Sequence, residues 1–154
     1  MSIVREYEEK LHTKVMVFKS WAKRNYPTIT EDTDNGEWCV CIEYDDMCSC
    51  FSDLIDKISA HEATEQMIDD LLYCIARDNE WGILIVELEE YAEWFSLLCR
   101  RCINTQYTNA KWQFVEHLRY YTGKDDLKEA EKSDYKYLKE NAKEIRDKLS
   151  VERS

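Results

Sequence analysis

The sequence predicts an all-α fold in a single domain spanning 1–154. Its 154 residues hold only three Gly and one Pro, too few for the many turns of a sandwich, a barrel or a doubly wound sheet. Hydrophobic residues make up 44% of the chain, with five Trp and ten Tyr, which argues for a real core and against disorder. Apolar residues recur every three or four positions along most of the length, the period of helices that bury one face.

Each element follows from that period. Val4, Tyr7, Leu11, Val15, Phe18 and Ala22 form the stripe of an amino-terminal helix within 1–27, ended by Asn25-Tyr26-Pro27. Residues 28–37 are polar and turn-rich, a loop, and 38–154 read as stacked helices. Trp38, Val40, Ile42 and Tyr44 alternate with Cys39, Cys41 and Glu43. That alternation predicts a short extended segment near 38–43 or a first helical turn, with 83–86 as the one candidate strand partner. Met47, Phe51, Leu54, Ile55 and Ile58 predict a helix over 44–59, and Met67, Leu71, Leu72 and Ile75 another over 63–77. Leu84, Leu88, Tyr91, Phe95, Leu98 and Cys102 predict one long helix over 82–103. Ala110, Phe114, Val115 and Leu118 predict a further helix closed by Gly123, and the charged stretch 127–149 a last one. The short links between them imply antiparallel neighbours.

Two segments give this succession a more specific character. Leu71-Leu72-Tyr73-Cys74-Ile75-Ala76-Arg77-Asp78-Asn79-Glu80 reads as a helix running into a short inter-helix turn. Thr108-Asn109-Ala110-Lys111-Trp112-Gln113-Phe114-Val115-Glu116-His117-Leu118 reads as a turn followed by an inner helix, and Asn141-Ala142-Lys143-Glu144-Ile145-Arg146 as a decayed further copy. Across 62–149 the chain resembles α-helical repeat proteins of the HEAT type. The resemblance implies antiparallel helices stacked as hairpins, the alternative being an irregular helical bundle.

The charge is regional. Residues 31–99 carry 19 Asp and Glu against Lys57 and Arg77, a net of −17, whereas 1–30 and 100–154 are each +3, within a whole-chain −11. A block this one-sided repels itself, so stability alone does not account for it. Its sign opposes contact with the phosphates of DNA or RNA. No run of 18 apolar residues occurs, which excludes a helical membrane span. The charged start Met1-Ser2-Ile3-Val4-Arg5-Glu6 lacks the apolar centre of a signal peptide, and seven Cys is an odd number. Both read as reduced thiols in a cytoplasmic protein.

Cys39-x-Cys41 and Cys48-x-Cys50 are the one candidate metal set, since four thiolates can close a tetrahedral zinc site. The C-x-C spacing is not that of a zinc knuckle, however, and on a helix Cys48 and Cys50 point about 200° apart. The expectation is therefore no metal and no cofactor. Cys99-Arg100-Arg101-Cys102 has redox spacing but falls at the end of an apolar stripe, where the helix dipole opposes a thiolate. His12, His61 and His117 are dispersed, and no nucleophile elbow, phosphate loop or dinucleotide glycine pattern occurs. No catalytic residue is expected, and the chain is read as a non-enzyme.

What remains is the acidic block with its aromatics. Asp45, Asp46, Asp69, Asp70, Asp78, Glu80, Glu89, Glu90 and Glu93 lie among Trp81, Tyr91 and Trp94. Buried aromatic anchors carry most interface energy, and opposite charge speeds encounter. These twelve residues are the expected partner-binding set, and the expected partner is a basic protein. In size, acidity and helical content the chain is similar in character to bacterial immunity proteins and antitoxins. That resemblance implies the neutralisation of a basic toxin such as a nuclease. The alternative is a structural or adaptor module within a larger assembly.

Overall fold

A computed structural model describes residues 1–28 and 41–118, together with the helical, exposed positions Lys143 and Asp147. The described chain is all-α. Six α-helices and one 3-10 turn follow in order: α1 (Ile3–Asn25), α2 (Ile42–Lys57), a turn at Ala60–Glu62, α3 (Glu65–Arg77), α4 (Ile83–Leu88), α5 (Ala92–Cys102) and α6 (Thr108–Leu118). No strand forms among the described residues, and 83–86, the candidate strand partner, is helical.

Local chemistry sets most boundaries. Ser2 caps α1 by accepting from the Arg5 N–H, Glu6 sits in the first turn, and Lys23 and Arg24 sit in the last, each on the side of the dipole that suits its charge. Cys41 is extended and leads directly into α2. Ser59 and Glu62 form a capping box, and Thr64 accepts from the Met67 N–H to start α3. Gly82 precedes α4 with φ +58°, a left-handed conformation that disfavours any residue with a Cβ.

Helix α3 is the centre of the molecule. It packs against each of the other five helices, and ten of its thirteen residues are buried. Ion pairs and hydrogen bonds give the helix directions. Lys10 meets Asp53 and Lys14 meets Asp46, so α1 and α2 run antiparallel. Glu8 meets Thr64 and His12 meets Asp70, so α1 and α3 run parallel. Leu11, Val15 and Phe18 of α1 face Met47, Phe51 and Leu54 of α2 and Leu71 and Ile75 of α3 within one core. Burying each such side chain contributes about 1.5–3 kcal/mol. Phe18 anchors a run of rings, with Tyr44 at 6.0 Å and Tyr73 at 6.3 Å in edge contacts, and Tyr73 continues to Tyr107 at 5.9 Å.

One expected element divides. The helix expected over 82–103 is two helices, with Glu89–Tyr91 turning between α4 and α5. Neither Gly nor Pro marks the break. A continuous helix would stack Glu87 on Glu90, Glu89 on Glu93 and Glu90 on Glu93 at three- and four-residue spacing, and like charges so placed destabilise a helix. The turn also seats Trp94, whose indole N–H donates to the Ile58 carbonyl at 2.8 Å. The expected helix over 127–149 and its closing Gly123 lie outside the described residues, apart from Lys143 and Asp147.

Candidate partner-binding face

The twelve acidic and aromatic candidates divide by burial. Asp70 is 1% exposed, Asp78 2% and Trp94 2%. These three do not lie on a surface that a partner can reach, and each is committed within the fold. Asp70 pairs with His12 Nδ1 at 3.0 Å. Burial raises the Asp70 pKa, with the His12 contact pulling the other way. Asp78 accepts the Tyr44 O–H at 2.6 Å and the Leu84 backbone N–H at 2.8 Å, tying α2, the end of α3 and the start of α4 together. Burial and the Asp78 carboxylate keep the Tyr44 phenol protonated, well above its usual range. Trp94 holds the turn at Ile58.

Other candidates are exposed or half-buried but partnered. Asp46 receives Lys14 at 3.1 Å, and Asp69 accepts the Tyr107 O–H at 3.1 Å. Glu89 pairs with His117 across to α6, and Glu93 lies 3.4 Å from His61. Tyr91 donates to Asp56 at 3.2 Å, and Asp56 also holds Lys57 at 2.7 Å. Tyr91 and Trp94 line a cleft of about 460 Å³ with Asp56, Lys57, Ile58 and Glu93. One of the two basic residues of the acidic block, Arg77, is buried and lies 4.8 Å over the Tyr73 ring. It offsets little of the surface charge.

Asp45, Glu80, Trp81 and Glu90 remain. All four are exposed, with Trp81 at 66%. Among the described residues no ion pair holds Asp45, Glu80 or Glu90. Lys10 and Lys14 of α1 therefore compensate Asp53 and Asp46 of α2, while among the described residues Asp45 on α2 and Glu80 and Glu90 on either side of α4 stay open. The candidates thus do not form one continuous face.

Sequence reasoning missed the apolar part of this surface. Ile83 (61%) and Val86 (53%) are exposed beside Trp81, while Leu84, Ile85 and Leu88 of the same helix are buried. A signal existed. The α4 segment Ile-Leu-Ile-Val-Glu-Leu is apolar nearly all round, and a six-residue helix lying on a core buries only one side. Ile42, at the start of α2, is 70% exposed.

The cysteines behave as packing residues. Among the described residues no group of three or more metal-ligating side chains comes together. Cys39 lies outside the described residues, so the four-thiolate set is represented by Cys41, Cys48 and Cys50. Cys41 donates to Glu43 at 3.0 Å. Burial pushes the thiols up, Cys41 to about 11 and Cys48 to about 12, with Cys50 also raised. In the C-x-x-C pair both sulfurs are buried, Cys102 donates to the Cys99 carbonyl at 3.1 Å, and its thiol is pushed up to about 12. The Cys102 sulfur is therefore not poised as a thiolate.

Among the described residues no helix is long and apolar enough to cross a membrane. No protein-family model, curated protein or solved structure matches the chain.

Proposed function

We propose that the chain is a cytoplasmic, non-enzymatic binding protein that neutralises a basic protein, in the manner of an immunity protein or antitoxin whose target is a cationic toxin such as a nuclease. The single observation that carries this reading is the open acidic surface around α4. Glu80, next to the exposed Trp81, and Glu90, just past the end of α4, have no ion pair among the described residues, although a cationic helix is packed elsewhere on the same fold. Unpaired carboxylates raise the local concentration of a cationic partner, and an exposed Trp gives that partner an anchor. Six buried or half-buried free thiols suit a reducing compartment.

The test is kinetic. The partner captured from the native host is identified by mass spectrometry, purified, and its association measured between about 0.05 and about 0.5 M salt, where the screening length falls from about 14 to about 4 Å. A basic partner whose association slows at least about tenfold, and slows again for the triple variant Asp45→Asn, Glu80→Gln, Glu90→Gln, is the expected result. A neutral or acidic partner with salt-independent association overturns this reading and favours an adaptor module within a larger assembly.

A further inference from the structure

Among the described residues, the outer face of α4 is a helix face with no partner. Ile83 and Val86 stand three residues apart and so share one side of the helix, with Trp81 beside them. The opposite side, Leu84, Ile85 and Leu88, is buried in the core. The backbone that carries this exposed trio is held in place. Left-handed Gly82 fixes the turn between Trp81 and α4, and the buried Asp78 carboxylate grips the Leu84 N–H. A fixed backbone spares part of the ordering cost when these side chains are covered.

The charge around the trio selects what covers it. From 78 to 99 the chain contains no Lys or Arg, and Glu80 and Glu90 stand exposed before and after α4, while Glu87 accepts from Ser52 and Glu89 pairs with His117. A second copy laid symmetrically on this face would bring those carboxylates against their own kind, so pairing of the face with itself is opposed. We infer that the α4 face, Trp81 with Ile83 and Val86, docks a segment of a basic protein in which large apolar side chains lie between Lys or Arg residues. This rests on the charge-steered reading above and adds to it an apolar anchor, which governs how long the partner stays rather than how fast it arrives.

Three fluorescent 14-residue peptides test the inference on the full chain by anisotropy. The first is Leu/Lys with Leu at helical spacing, the second has Ser in place of every Leu, and the third has Glu in place of every Lys. The Leu/Lys peptide is expected to bind, and Trp81→Ala and Val86→Ala are expected to weaken it about tenfold for Trp81 and less for Val86, with unchanged melting of the free chain. The Ser/Lys peptide is expected to bind more weakly and to ignore both variants, and the Leu/Glu peptide not to bind. Equal binding of Leu/Lys to wild type and Trp81→Ala overturns the anchor. If Glu80→Gln with Glu90→Gln still weakens Ser/Lys in that case, the charge-steered function stands alone. If neither peptide responds to the Glu variants, both readings fall. Sedimentation showing a dimer that Trp81→Ala disperses assigns the face to a second copy and overturns the inference. So does a Trp81 shielded from acrylamide in the free chain, read as the difference between wild type and Trp81→Phe, which assigns the face to the chain itself.

Discussion

The Tyr44 hydroxyl donates to Asp78 at 2.6 Å, and the other oxygen of the same carboxylate takes the Leu84 N–H at 2.8 Å. One buried acid thereby closes α3, starts α4 and locks both to α2. Asp78→Ala removes both bonds, leaving the buried Leu84 N–H without its acceptor and the half-buried Tyr44 phenol without its strongest one, at a cost of about 2–3 kcal/mol. Urea denaturation measures that loss.

The two tryptophans near α4 are expected to behave in opposite ways. Trp94→Ala opens a core cavity and strands the Ile58 carbonyl, costing about 3–5 kcal/mol, and Trp94→Phe costs about 1 kcal/mol for the lost hydrogen bond. Trp81→Ala stays within about 0.5 kcal/mol of wild type because the ring is mostly in water. Thermal melting of the three variants separates them.

Asp70 carries a defined pH dependence. An unfolded Asp ionises near pH 4, whereas burial sets the folded Asp70 pKa higher. Between those two values the folded state holds the extra proton. The stability Asp70 contributes is therefore fully present below about pH 4 and is lost as pH rises through the folded pKa. Other carboxyls, including Glu43 and Asp56, are lowered by their partners and act in the opposite sense, so the observable is the difference from Asp70→Asn. Relative to wild type, the Asn variant gains melting temperature as pH is raised from 3 to 7. A difference that falls over that range contradicts the burial of Asp70.

Thiol reactivity reports on the core. With Cys41 at about 11 and Cys48 and Cys102 at about 12, roughly one part in a thousand or less of each is thiolate at pH 8. Iodoacetamide followed by mass spectrometry is expected to leave these three unmodified in the native chain over minutes and to label them fully in guanidinium. Fast native labelling of Cys102 contradicts its placement.

Lys14 holds Asp46 at 3.1 Å across α1 and α2 with both groups partly in water. Such a pair contributes about 0–1 kcal/mol, so Lys14→Gln melts close to wild type. The same substitution frees a carboxylate and removes a cation. Association with a cationic partner accelerates at low salt, by stopped-flow, and the gain vanishes at high salt.

The helices were legible in the sequence because their apolar spacing is a local property, and caps such as Ser2 and Thr64 are written beside the segments they start. The break at Glu89–Tyr91 was not. No turn residue marks it, and it depends on Trp94 finding the Ile58 carbonyl thirty-six residues away. The acidic block was visible as a block, but its division was not. Which carboxylates stay open depends on where α1 lies, and on whether an acid such as Asp70 or Asp78 is turned inward. A one-dimensional charge count cannot separate a buried structural carboxylate from an open one. Nor did the apolar period place Ile83 and Val86 outside, since that period assumes one long helix with one buried stripe.

The packing of α1 on α2 has a consequence for selectivity. Lys10 and Lys14 sit one helical turn apart and reach Asp53 and Asp46 on an antiparallel neighbour, so the molecule already carries a tethered cationic ligand. Tethering gives such a ligand an effective concentration on the order of millimolar or more, held further by the Leu11, Val15 and Phe18 stripe beneath it. A stray polycation aimed at α2 meets a competitor that never diffuses away. On the proposed binding reading, this pairing would turn weak, charge-only visitors away from α2 and favour a guest that also brings something greasy to α4.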